Sequence, residues 1–312
     1  MALYTALEGK DGPSPMSQIV REASEEFGEL TTKELAKPGK WHGVLYGFWP
    51  TLCWTMLILG AVVDLNLRWA ANGSLGFSRL DERSSVLASP LGSPEALLLT
   101  RAVSLLLTVV PCILAVIQYR KKRKAAGEPL VLGGLEILML FCTLWTWCWK
   151  TFYFFLATSF SAGYVVWDLE PPLWATQGLW LTFDIAFGMA WLVFWAVWLF
   201  LLPFSWLSGH KEALAELLSP LPFYLHNANV VLVTLELVLS QWTVNIEHSI
   251  FPVYFAFTYL YFNWWLYSKI GVWIYFFLDY DRPSSVPVCL MLCAITVGSF
   301  DLGGVVARAV TR

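Results

Sequence analysis

Residues 221–239 read LPFYLHNANVVLVTLELVL, a run of the length and apolar character that crosses a bilayer as one helix. His226 nevertheless lies in its opening turn, and Asn229 and Glu236 follow three and ten residues later. A titratable group beside lipid is costly, so it usually faces a helix bundle or a wet cavity. The run therefore predicts a transmembrane helix whose inner face either carries chemistry or holds other helices.

The composition of the whole chain is typical of an integral membrane protein. Of its 312 residues, 57% are apolar and 14% are charged, whereas soluble domains average about 45–50% and 25%. The formal net charge of −3 provides no basic footprint for nucleic acid. All six cysteines lie in apolar segments and indicate neither a disulfide framework nor a zinc site. We expect no metal and no organic cofactor.

Seven apolar runs reach spanning length. They cover about residues 44–64, 97–118, 135–160, 179–203, 221–240, 250–268 and 286–307. We therefore predict an all-α, polytopic transmembrane helix bundle with about seven spans. Residues 271–278, GVWIYFFL, are too short to span and indicate an interfacial or re-entrant aromatic segment. Residues 1–40 are predicted to form a polar tail, with either a short amphipathic helix or a flexible chain.

The basic sequence RKKRK at 120–124 marks the cytosolic side, because short cytosolic loops are enriched in Lys and Arg. Alternation from this loop puts three further basic residues on the same side, namely Lys211, Lys269 and Arg282. The loop of about residues 65–96 then faces away from the cytosol. It contains a sequon at Asn72, a candidate N-glycosylation site. The sequence is compatible with the endoplasmic reticulum or the plasma membrane.

Polar residues inside the predicted spans are the candidate functional residues. In the third run Glu136, Thr143 and Lys150 are spaced by seven, which would align them on one helix face, with Thr146 nearby. A hydroxyl that faces the imidazole of His226 would make a nucleophile–base pair for acyl transfer. In the alternative interpretation, His226 bonds a carbonyl across a helix interface and has a structural role. Residue types alone do not say which hydroxyl faces it.

Five short segments occur in a characteristic order: RAVS at 101–104, FCTLWT at 141–146, VFW at 193–195, HSIFP at 248–252 and GVWIYFFL at 271–278. Together they resemble the androgen-induced membrane protein and rolling stone superfamily. That superfamily includes intramembrane threonine hydrolases of fatty-acid esters of hydroxy fatty acids. The resemblance implies a six-helix core at 97–312. One extra span within 41–96 and the tail of 1–40 precede it here.

The resemblance also implies roles for individual residues. The nucleophilic threonine falls on Thr143, the catalytic histidine on His226 and an acidic position on Glu236. A different register puts Thr151 or Thr158 in the place of the nucleophile. The sequence departs from the family pattern at Phe276, where the family has proline. The extra span also inverts the expected sidedness of the helix that carries the threonine.

The expected function is therefore hydrolysis of a lipid ester in the membrane, with membrane lipids and the ester substrate as partners. Asn229, Thr146, Lys150 and Glu236 are candidate supporting residues. The rolling stone branch of the resemblance implies a second possibility, a non-enzymatic receptor, adhesion or fusion component. A third is a transporter that uses acidic and basic residues within the spans as an ion path.

Overall fold

The fold is described from a computed structural model. It describes residues 48–71, 87, 89, 92–125, 127, 130, 132–240, 242, 244–270, 273–282 and 284–310. The predicted tail of 1–40 and the sequon at Asn72 lie outside these residues, as do the first two residues of the 271–278 segment.

Every regular element in this part of the chain is helical, which confirms the all-α prediction. The α-helices are, in chain order, α1 (Phe48–Ala71), α2 (Pro94–Ala125), α3 (Ile137–Leu140), α4 (Cys142–Trp167), α5 (Leu173–Ala196), α6 (Leu202–Leu207), α7 (Lys211–Leu217), α8 (Pro220–Leu239), α9 (Ile250–Ile270) and α10 (Ser285–Val310). A π-helical turn, Val197–Leu201, joins α5 to α6. Three 3₁₀ turns complete the set: Leu132–Gly134, Ile246–Ser249 and Phe276–Leu278.

Five helical segments in the described ranges are long and apolar enough to cross a membrane. They are α1, α2, the continuous segment Leu173–Leu207, α8 and α10. This supports a multi-pass integral membrane protein. Helices α4 and α9 are of comparable length, with 26 and 21 residues, but are not among the five. The count of seven spans therefore stays a prediction.

The prediction of one helix over 135–160 is wrong at its beginning. Phe141 is extended, with φ −102° and ψ 133°, and separates α3 from α4. Two side chains occupy the carbonyls that would continue the helix: Trp145 Nε1 donates to Met139 O at 2.8 Å, and Tyr259 OH donates to Leu140 O at 2.7 Å. Glu136 thus precedes the break and does not share a helix face with the residues of α4.

Helix α5 is the central element of the bundle, with 15 of its 24 residues buried. It approaches its neighbours most closely at Gly188, where a Cβ atom would lie 2.5 Å from Pro252 Cγ and 2.8 Å from Phe300 Cε2. Small residues allow helix backbones to approach in this way in membrane proteins. One apolar cluster lies mainly among α4, α5 and α8, and a second among α5, α9 and α10.

A buried ion pair joins three helices at the end of the bundle away from the 120–124 cluster. Glu236 Oε1 of α8 accepts hydrogen bonds from Arg101 Nε and Nη2 of α2, at 2.9 and 2.7 Å. The same oxygen accepts from Tyr153 OH of α4 at 2.7 Å. Arg101 Nη1 also donates to Ser161 Oγ of α4 at 2.8 Å. Arg101 and Glu236 are almost completely inaccessible, so each charge depends on the other for compensation.

The basic residues of the cluster lie near two connecting segments. Arg120 Nε bonds to the carbonyl of Gly133, and Lys122 lies 3.5 Å from Glu216 of α7. Helices α2 and α4 are antiparallel, because Arg101 near the start of α2 meets Ser161 near the end of α4, while Arg120 near the end of α2 meets Gly133 in the turn that precedes α3 and α4. The loop before α3 and the connection through α7 therefore share one end of the bundle with this basic cluster.

Arg101→Ala is expected to lower the free energy of unfolding by about 3–5 kcal/mol, because it leaves a buried carboxylate without its counter-charge. The measurement is denaturant unfolding of the protein in detergent micelles. The double variant Arg101→Met with Glu236→Leu should recover most of the loss. Arg68→Ala is the control: its pair with Asp64 is exposed, and such pairs contribute up to about 1 kcal/mol. Equal effects of Arg101→Ala and Arg68→Ala would contradict this account.

Gly188→Ala is expected to destabilise the bundle by roughly 1–3 kcal/mol, since overpacking forces the neighbouring backbones apart. The matched control is Gly178→Ala on the same helix, where a Cβ atom would have no atom within 4 Å. Thermal unfolding midpoints of the two variants in the same detergent compare the positions directly. If Gly188→Ala unfolds at the temperature of Gly178→Ala, the close packing at this position is not required.

Candidate functional site

Helices α4 and α8 run parallel and meet through polar groups. Trp147 Nε1 donates to the carbonyl of Leu225 at 2.8 Å, and Lys150 Nζ donates to Asn229 Oδ1. Contacts advance in the same direction along both helices, which defines their register. Lys150 and Asn229, both predicted as supporting residues, therefore lie together in the structure. Residue spacing alone did not establish this contact.

Lys150 is an amine with no solvent access. Besides its bond to Asn229, its Nζ lies 3.5 Å from the centroid of the Trp147 ring, a cation–π geometry. Burial of an amine is costly unless it is hydrogen-bonded or paired. The amide oxygen and the ring therefore hold Lys150 in one position between the two helices, and its long stem does not extend to the surface.

Thr143 lies in the first turn of α4 and is 8% exposed. It lines a pocket together with Tyr275, which precedes the 3₁₀ turn between α9 and α10. Thr146 and Thr151 differ from it: their hydroxyls donate to the carbonyls of Cys142 and Trp147, one turn earlier, at 3.0 and 2.9 Å. Because α4 begins at Cys142, Thr143 has no preceding turn of the same helix to bond. Its hydroxyl is therefore directed elsewhere.

His226 is 8% exposed, and its Nδ1 has no hydrogen-bond partner among the described residues. The register places it level with the residue after Trp147, hence roughly 7 Å along the helix axis from Thr143 at 1.5 Å per residue. No hydrogen bond joins Thr143 to His226 in the described part of the chain. Thr158 also has a buried, unpartnered hydroxyl, but it lies about 15 Å beyond the level of His226 by the same measure.

A pocket with an empty volume of about 770 Å³, partly open to the outside, lies beside Thr143. Its walls come from α5, the π-helical turn, α9, α10 and the segment before α10, and they are largely apolar. Four residues with hydroxyl groups also line the pocket: Thr143, Tyr259, Tyr275 and Thr296. The hydroxyl of Thr296 donates to Leu292 O.

Tyr275 was not predicted as a functional residue, although the resembling segment GVWIYFFL contains it. It lies in the connection between α9 and α10, outside the long helices. Burial raises the pKa of Tyr275, so the phenol keeps its proton and remains a hydrogen-bond donor. Only the resemblance carried a signal for this residue, because a tyrosine in an aromatic segment has no distinguishing spacing.

A second buried pair, Asp184 with His248, was also not predicted. His248 Nδ1 lies 2.5 Å from Asp184 Oδ2, and both side chains are fully buried. The His248 ring packs edge-on against Trp180 at 4.7 Å. Asp184 precedes Leu192, the first residue of α5 in the pocket, by two helical turns or about 12 Å. This pair therefore links α5 to the start of α9 away from the pocket.

Within the ranges that the structure describes, no group of three His, Cys, Asp or Glu side chains could hold a metal ion. Glu236, the remaining predicted residue, is engaged with Arg101 and Tyr153. Its position fixes α8 against α2 and α4, and it does not line the pocket beside Thr143.

Comparison with protein-family models, with curated proteins and with solved structures finds no match to this chain. The superfamily resemblance therefore rests on the quoted motifs alone.

Asn229→Leu is expected to lower the free energy of unfolding by roughly 1–3 kcal/mol, because Lys150 then lacks a hydrogen-bond acceptor in the protein interior. Replacing both partners, Lys150→Met with Asn229→Leu, should restore most of it, since removal of both groups leaves nothing unsatisfied. Chemical unfolding in detergent measures both. A double variant that is less stable than Asn229→Leu would show that Lys150 has a different stabilising partner.

Proposed function

We propose that the protein is an integral membrane lipid-ester hydrolase in which Thr143 is the nucleophile and His226 the general base. One observation carries the proposal. Thr143 has a hydroxyl that faces an apolar pocket and is not held by the preceding turn of its own helix. This distinguishes it from Thr151, whose hydroxyl bonds to Trp147 O. Thr158 is distinguished by its position on α4, about 15 Å beyond the level of His226.

The base is supported by the state of the imidazole. A neutral histidine carries a lone pair on one ring nitrogen, and Nδ1 of His226 is buried without a partner in the described residues. His226 does not line the pocket, so proton transfer from Thr143 needs a bridging water, an arrangement that general bases use. Lys150 and Asn229 lie on the same two helices, are buried and would hold this water.

The chemistry is a two-step acyl transfer. Thr143 Oγ1 attacks the ester carbonyl carbon while its proton passes to His226. The tetrahedral intermediate then expels the alkoxide, which takes that proton and leaves as an alcohol. Water, activated by His226, attacks the acyl-threonine and releases a fatty acid. The reaction needs no redox partner and no other co-substrate.

The pocket supports a long-chain ester as the substrate. Its walls are contributed by aliphatic and aromatic side chains of α5, α9 and α10, which suits an acyl chain and gives no charge for a polar head group. Fatty-acid esters of hydroxy fatty acids, implied by the resemblance, have this character. An ion path is less well supported, because Glu236 is paired with Arg101 and Glu136 lies outside α4. The endoplasmic reticulum or the plasma membrane would provide such esters.

Thr143→Ala and His226→Ala are expected to reduce kcat for a long-chain ester by about 10³-fold or more, since loss of a nucleophile or its base removes the covalent route. Purified protein in nanodiscs would be assayed with the palmitoyl ester of hydroxystearic acid. Thr143→Ser retains the hydroxyl and should retain activity. Thr151→Ala and Thr158→Ala are matched controls on the same helix and should keep it too.

A fluorophosphonate probe provides a second measurement, because it labels an activated hydroxyl without the need for the natural substrate. Mass spectrometry should locate the adduct on Thr143, and labelling should fall in His226→Ala. Full turnover in both alanine variants would reject the hydrolase. It would favour the non-enzymatic membrane component of the rolling stone type.

A further inference from the structure

We propose that Tyr275 is a catalytic residue: its phenol hydroxyl donates a hydrogen bond to the carbonyl oxygen of the ester that Thr143 attacks. The inference rests on the proposed function and adds the group that stabilises the charge on the reacting oxygen. Tyr275 and Thr143 line the same pocket. A carbonyl carbon that meets Thr143 Oγ1 therefore has its oxygen close to the phenol.

The groups around the phenol oxygen of Tyr275 determine which of them can receive the phenol proton. Three groups lie close enough to the phenol oxygen to lower the pKa of Tyr275 against the effect of burial, namely the backbone amide of Cys142 and the hydroxyls of Thr143 and Tyr259. An amide N–H donates only, so Cys142 can only donate to the phenol oxygen. The phenol proton remains for a neighbouring hydroxyl oxygen in the free enzyme, or for a substrate oxygen once the ester is bound. Substrate binding exchanges one acceptor for another, without loss of a bond.

The ring of Tyr275 is held in place by its neighbours. Its backbone is extended, at φ −128° and ψ 122°, immediately before the 3₁₀ turn Phe276–Leu278. The ring stacks on Phe277 at 5.3 Å between centroids and meets Tyr259 edge-on at 6.1 Å. Tyr259 itself donates to the carbonyl of Leu140, so its proton is engaged elsewhere. The ring of Tyr275 is thus fixed within the pocket that Thr143 also lines.

The start of α4 supplies a second donor beside the phenol. The amides of Leu144 and Trp145 both bond to the carbonyl of Phe141, and no side chain caps the helix. The amide of Thr143 precedes this first turn, where backbone N–H groups have no partner within the helix. The positive end of the helix dipole favours negative charge at the same point. A developing oxyanion would therefore meet Tyr275 OH and Thr143 N–H.

The step balances without another reactant. As Thr143 Oγ1 bonds to the carbonyl carbon, the electron pair of the C=O double bond moves to oxygen, which accepts hydrogen bonds from the phenol and the amide. Tyr275 keeps its proton throughout. When the alkoxide leaves, the C=O double bond re-forms and the negative charge on this oxygen is lost. The stabilisation acts chiefly on the transition state, which is the condition for a higher kcat.

Tyr275→Phe tests the inference, because it removes the hydroxyl and keeps the ring that packs on Phe277. Loss of one oxyanion donor typically lowers kcat by about 10²–10³-fold, and we expect this decrease with little change in KM. The assay uses 4-nitrophenyl palmitate with protein in nanodiscs. Tyr254→Phe is the matched control: its hydroxyl accepts from Asn66 between α9 and α1, outside the pocket.

A long-chain trifluoromethyl ketone provides a readout that a structural role would not change. It forms a tetrahedral adduct with the nucleophile and carries an oxyanion, so its inhibition constant should rise in Tyr275→Phe by a factor similar to the fall in kcat. The affinity for palmitate, which forms no adduct, should stay near that of the wild type. The unfolding temperature reports separately on packing.

The outcomes separate the two proposals. If Thr143→Ala abolishes turnover while Tyr275→Phe keeps kcat within about threefold of wild type, less than the loss of one donor causes, the role of Tyr275 is rejected and the hydrolase stands. If kcat falls but ketone inhibition is unchanged, Tyr275 only orients Thr143 and the inference is again rejected. If Thr143→Ala retains full turnover, the proposed function itself fails.

Discussion

The carboxylate of Glu236 determines how the polar half of the bundle is assembled. It accepts bonds from Arg101 of α2 and Tyr153 of α4 while it belongs to α8. A charge pair without water access has little freedom to slide, because any shift exposes an unpaired charge to a low-dielectric interior. The register of α4 against α8 is therefore fixed at this end. The contact of Lys150 with Asn229 further along the two helices is consistent with this register.

The sequence was informative about features that a single segment of the chain determines, such as the position of a long helix. Apolar runs predicted the positions of the long helices, and composition indicated a membrane protein. The prediction failed at Phe141, because the carbonyls of Met139 and Leu140 are taken by Trp145 and Tyr259. Tyr259 lies more than a hundred residues away in the chain, and no local pattern reports such a contact.

Several residues around the candidate site were predicted, but their arrangement was not. Spacing identified Lys150 and Asn229 as polar residues within spans, and the fold brought them together. The partner of Glu236, the pair of Asp184 with His248 and the position of Tyr275 all depend on tertiary contacts. A buried charge in a sequence predicts that a partner exists, yet it does not identify that partner. Thr143 and Tyr275 line one pocket although they are 132 positions apart in the chain, beyond the reach of periodicity.

The break at Phe141 has a consequence for how this chain tolerates change. In an uninterrupted helix the hydroxyl of Thr143 would find the carbonyl of Met139 one turn earlier, as serine and threonine side chains commonly do. The nucleophilic role proposed for this residue therefore depends on where a helix begins. Substitutions around residues 136–141 that strengthen local helicity would let the Thr143 hydroxyl bond to the carbonyl one turn earlier, while every side chain of the pocket stays intact. Natural selection on this region would then act on where the helix begins. A comparison of side-chain motifs alone would not detect this constraint.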